Sequence, residues 1–150
     1  MLSDGGGKRY QYSCTNSGNT ERRRPVAAWN GADLSVAWNG IGMDQTHVYV
    51  ARMNAADGTL STVPLVPTSR DSRNASIVWT GSELGIAWEG SGIFITHSGA
   101  AGTPVQELAL DGADGHAPSI VWAGVAYAVA YDVGGDIYFV RTCLAGNRDA

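Results

Sequence analysis

The chain has 150 residues, 44% of them apolar, which suits one domain with a sizeable core. Only 16% are charged and the formal net charge is −4, which argues against a nucleic-acid binder, whose surface carries a basic excess. No apolar run approaches the roughly 18 residues of a membrane span, and the opening MLSDGGGKRYQYSC lacks the apolar core of a signal peptide, so the expected location is cytoplasmic.

Glycine is 20 of 150 residues, about twice the usual share, and comes with 5 Trp and 6 Tyr. That composition predicts an all-β chain of short strands and tight turns. In chain order, the first predicted strand lies at 8–14, where Tyr10 and Tyr12 alternate with Gln11. A gapless internal repeat follows: VAAWNGADLSVAW (26–38), SIVWTGSELGIAW (76–88) and SIVWAGVAYAVAY (119–131). Trp29, Trp79 and Trp122 share one position, and Gly31, Gly81 and Gly124 follow two residues later. Leu34, Leu84 and Tyr127 come next in register, then Trp38, Trp88 and Tyr131. Each unit reads as an apolar run ending at a glycine turn, then an alternating run suited to a half-buried strand. A third run comes in each copy (47–52, 92–97, 136–141), then a glycine-bearing turn. A fourth run appears only in the first two copies (62–66 and 105–110). The strand at 8–14 is therefore expected to complete the third unit, removing an open sheet edge.

This motif, W-x-G-x-x-[LY]-x-[VI]-A-[WY], resembles the blades of β-propeller repeat proteins and spans about residues 8 to 147. The resemblance implies three four-stranded blades per chain, with strands in 24–66, 75–110 and 118–143 plus the closing strand at 8–14. Three blades leave two open apolar flanks, so the expected assembly is a homodimer forming a six-bladed ring with strand-exchange closure. Some small bacterial fucose-binding lectins are similar in building six blades from incomplete subunits. Cys14 and Cys143 fit neither a disulfide framework nor a zinc pattern. They are expected near opposite ends of adjacent strands, roughly 20 Å apart, as free thiols.

Candidate chemistry concentrates where each unit begins. Eight residues before the repeat Trp stand Glu21, Asp71 and Asp114, and six before it stand Arg23, Arg73 and His116. An acid and a base thus recur two residues apart, twelve groups around the channel mouth of a six-bladed ring. The plain reading is that each carboxylate caps its own turn and pairs with the neighbouring base. The functional reading is that Glu21, Asp71 and Asp114 bind a divalent metal, such as calcium in an oxygen-rich ring, or serve as catalytic acid–base groups. His116 replaces arginine in the series and can accept a proton, so it is the candidate general base. Arg23 and Arg73 would stabilise developing negative charge. Asn39, Glu89 and Asp132 each follow the second aromatic on the adjoining loops. The first copy has a longer loop, 40–47, which adds Asp44 and His47 as candidate metal ligands. His97 falls at the opposite end and reads as structural, and all five Trp are assigned to blade packing.

No nucleophile elbow or phosphate loop occurs. Six-bladed propellers of the paraoxonase, gluconolactonase and diisopropyl-fluorophosphatase type resemble this architecture, although none of their specific motifs is matched. The resemblance implies metal-assisted hydrolysis of esters, lactones or phosphotriesters at the central channel. The alternatives are a glycan-binding propeller module without catalysis, or a scaffold with no small-molecule site. The expected partners are a second copy and a small ester or glycan, without nucleic acid or membrane.

Overall fold

The computed structural model describes residues 23–42, 45–64, 71–98, 104–111 and 114–143. Among these the chain forms eleven β-strands and no helix. The first sheet contains β1 (Arg23–Trp29), β2 (Asp33–Gly42), β3 (Gln45–Asn54) and β4 (Leu60–Pro64). The second contains β5 (Arg73–Trp79), β6 (Leu84–Glu89), β7 (Ile93–Ser98) and β8 (Pro104–Asp111). The third contains β9 (Gly115–Trp122), β10 (Ala126–Val133) and β11 (Asp136–Cys143). Each sheet is an antiparallel meander with neighbours in chain order. The expected closing strand at 8–14 lies outside the described residues.

The repeat glycine builds the turn between the first two strands of every sheet. Gly31, Gly81 and Gly124 have φ of 99°, 106° and 85°, where a Cβ would be strained. In the first sheet Asn30 Oδ1 accepts the amides of Ala32 and Asp33. In the second, Thr80 Oγ1 accepts those of Ser82 and Glu83. These side chains satisfy turn amides that have no partner in the ladder.

A second repeated device sits at the opposite, entry end of each sheet. Arg24, Asn74 and Ala117 all adopt left-handed φ, 57°, 50° and 49°. They occupy the same place, five residues before the repeat Trp. The register shifts beside each of them, between Arg23 and Val26, Arg73 and Ser76, and Ala130 and Asp132. A non-glycine residue in this conformation costs about 1–2 kcal/mol, so an identical bulge in three copies is a built feature. It keeps Arg23, Arg73 and His116 paired across from Asn39, Glu89 and Asp132.

The sheets stack face to face, with their first strands β1, β5 and β9 side by side, an arrangement compatible with a propeller. One core lies between the first and second sheets: Ala37 and Val48 meet Ala75, Leu84, Ile86, Trp88 and Phe94. The other lies between the second and third, where Ala87, Ile93, Ile95 and Leu110 meet Ile120, Tyr127, Val129 and Tyr131. The second sheet is thus covered on both faces, and every residue of β6 is buried. Among the described residues the outer flanks are partly open. Trp29 is 53% exposed on the first sheet, whereas Trp79 and Trp122 are packed against the two cores. Among the described residues no further sheet covers Trp29, so its packing is incomplete within the single chain. On the third sheet Val121, Ile137 and Phe139 are 55%, 62% and 79% exposed.

The expected long loop at 40–47 is corrected. Strand β2 runs to Gly42 and β3 starts at Gln45, with Gly40 paired to His47 and Gly42 to Gln45. The extra residues lengthen a hairpin, because an antiparallel ladder satisfies their backbone groups better than an open loop would.

Candidate functional site

The entry ends of the second and third sheets hold a buried carboxylate, Glu89, the last residue of β6, with a side chain 3% exposed. Strand alternation turns it toward the third sheet, on the same face as Ala87. Four groups converge on it. Arg73 Nε donates to Oε1 at 2.7 Å and Asn74 Nδ2 donates to Oε2 at 2.8 Å, both from the second sheet. The Ala117 amide donates to Oε2 at 3.2 Å and His116 Nδ1 lies 3.1 Å from Oε1, both from the third sheet. The bulge is what makes this possible. Its left-handed residue frees the Ala117 amide from the ladder and aims it across the junction. Burial alone raises the Glu89 pKa, but the bonds from Asn74, Arg73, Ala117 and His116 outweigh it and bring it down to about 2. Glu89 is therefore a fixed anion.

Arg73 and His116 are held by one end only. Their side chains are 51% and 53% exposed. Arg73 is bonded through Nε and His116 lies against Glu89 through Nδ1, which leaves the remaining guanidinium nitrogens and Nε2 outside these contacts. Asp114, exposed and at φ 60°, directly precedes β9 on that rim. Asp71, also exposed, precedes β5. Its Oδ1 accepts the Thr46 amide of the first sheet at 2.9 Å. Next to it, Ser72 is fully buried, its amide donates to Thr46 O and its Oγ accepts the Val48 amide. Residues 71 and 72 thus lace the second sheet to the start of β3.

Among the described residues the expected pair of Asp71 with Arg73 is not formed, and the pair of Glu21 with Arg23 lies outside them. Asp71 holds the neighbouring sheet's backbone and Arg73 turns to Glu89, because alternation and the bulge send them to different places. His47 lies on β3, edge-on to Tyr49, and its Nδ1 is buried without a partner. Arg23 heads β1 opposite Asn39, with its side chain outside the described residues, as are Glu21 and Asp44. Among the described residues, no three His, Cys, Asp or Glu side chains come together to hold a metal. The described members of the candidate metal set therefore do not by themselves make a cation site.

At the opposite, turn end, His97 Nδ1 lies 3.1 Å from Glu83 Oε2, and the Tyr127 hydroxyl donates to Glu83 Oε1 at 2.6 Å. Burial, and then the bond and charge of Glu83, push the Tyr127 hydroxyl well above its usual pKa. It is a permanent donor. His97 lies at the end of the sheet opposite the entry rim, as its position in the repeat implies.

The sequence singles out Glu89 without a role and Tyr127 only as a repeat position, and it does not single out Glu83. Register was the missing signal. Glu89 pairs directly across from Arg73, and its parity places it on the buried face. No family model matches the chain, and a search of curated proteins finds no match.

Proposed function

We propose that the three sheets are consecutive blades of a propeller-like ring, completed to six blades by a second copy, and that the ring is a glycan-binding module. The observation that supports binding most directly is the Glu89 cluster. One buried anion fixes Arg73 and His116 while leaving both side chains about half exposed at the rim, Arg73 as a donor and His116 with Nε2 free to accept. Asp114 adds acceptors on the same rim. A sugar hydroxyl is both donor and acceptor, so a rim that mixes fixed donors with carboxylates suits a polyhydroxylated ligand better than a purely anionic one. Asp71, a leading candidate for metal chemistry, spends one oxygen on a backbone amide.

A glycan array followed by titration calorimetry tests this reading. Binding should persist in chelator and weaken at least tenfold in Arg73→Ala and His116→Ala. An array with no ligand under any condition would remove the proposal.

One observation favours hydrolysis as a second reading. His116 faces a buried carboxylate through Nδ1, which would fix the tautomer and leave Nε2 to take a proton from water. Arg73 then stands ready to stabilise negative charge on an ester or phosphotriester. Turnover of an activated ester that disappears in His116→Ala supports this reading over simple binding.

A further inference from the structure

We infer that the open flank of the third sheet is a docking surface for the open flank of the first sheet of a second copy, with Asp132 taking the part of Glu89 across the seam. The inference rests on the reading of the sheets as blades and adds which faces meet and what joins them.

The junction inside the chain supplies the template. Ile93 and Ile95, 0% and 5% exposed beneath the third sheet, correspond by register to Ile137 and Phe139, which are largely exposed. Glu89 corresponds to Asp132, since each follows the second aromatic of its repeat and pairs with the base at the bulge. On the receiving side, Ile120, Tyr127 and Val129 of the third sheet correspond to Ala27, Leu34 and Val36 of the first. Ala117, whose amide bonds Glu89, corresponds to Arg24, which has the same left-handed φ. A second copy docked as the third sheet docks on the second would set the Arg24 amide against Asp132, with two arginines at the acidic end of the seam.

Size and polarity match along the seam. Inside the chain Gly85 lies against the ring of Tyr127, so closely that a Cβ there would overlap it. The corresponding pair across the seam is Ala128 and Leu34, a larger residue facing a smaller one. Glu83, which needs the Tyr127 hydroxyl, corresponds to Ala126, and leucine has no hydroxyl to give. Acid therefore occurs on the third flank only where the first flank offers donors. The contact would remove Val121, Ile137 and Phe139, all largely exposed in the single chain, from water.

Analytical ultracentrifugation across the micromolar range tests this on the full chain. The wild type should sediment at twice its 15.7 kDa chain mass. Phe139→Glu and Asp132→Lys should each sediment as monomers with unchanged circular dichroism, since both sites lie on the outer flank. Arg24→Glu combined with Asp132→Lys should restore the dimer. A monomeric wild type would overturn the ring reading together with this inference. A dimer indifferent to Phe139→Glu and Asp132→Lys would overturn this inference alone.

Discussion

The two junctions inside the chain are built from the same repeat positions and held by different means. Between the second and third sheets a carboxylate clamps each end of the apolar core: Glu89 with His116 and Ala117 at one end, Glu83 with Tyr127 at the other. Between the first and second sheets the corresponding residues are Asn39 and Asp33. Each has a buried Oδ1 without a hydrogen-bond partner. That junction relies on its apolar core, the Trp88–Phe94 stack with centroids 4.5 Å apart, and the backbone lacing at residues 71 and 72. A polar position in a repeat thus becomes a clamp only when the next unit offers its complement. By repeat position Asp33 corresponds to Glu83 and Leu84 to Tyr127, and leucine has no hydroxyl to offer an acceptor.

The largest expected effect comes from removing the better clamp. Glu89→Ala should cost about 3 kcal/mol in urea unfolding, because it strips a buried ion from its donors. Asn39→Ala, at the same repeat position, should cost under about 1 kcal/mol. Equal losses would erase the distinction between the junctions.

The next effect is steric. Gly85→Ala should cost about 2 kcal/mol, since the new methyl collides with the Tyr127 ring. In a Tyr127→Leu background, which imitates the first junction, the same change should cost far less. A double-mutant cycle reads the coupling, and simple additivity would mean that Gly85 does not make room for Tyr127.

The third effect sharpens the contrast through pH. Glu89 has a pKa of about 2 in the fold against 4.5 for the free side chain. The folded state therefore binds fewer protons, and stability falls as pH drops. The contribution is present above about 4.5 and fades toward about 2. The melting temperature of the wild type should decline across that window and that of Glu89→Gln should decline less, as followed by circular dichroism. Parallel curves would assign the acid sensitivity to other carboxylates.

Much of the fold was legible because the repeat is carried by residues with strong backbone or packing demands. The Trp-x-Gly pair announces a turn that needs positive φ, and the alternation before Trp38, Trp88 and Tyr131 announces a strand with a buried face. The strand ends at Gly42 and Gln45 were not legible, because glycine, methionine and aspartate read as loop until a ladder pairs them. The bulge escaped for a related reason: Arg24, Asn74 and Ala117 share a conformation without sharing a residue type. The candidate site was half legible. Arg73 and His116 stood out as recurring bases, but their partner follows from cross-strand register. A search for acids close in sequence therefore chose Asp71 and Asp114 over Glu89.

The fit of Gly85 to Tyr127 has an evolutionary corollary. Tandem duplication of the third unit would place a tyrosine ring against the methyl of Ala128, and duplication of the second would leave Leu84 facing a gap at Gly85. The units have thus lost their interchangeability, and growth of the gene by copying either one alone is penalised from the first generation.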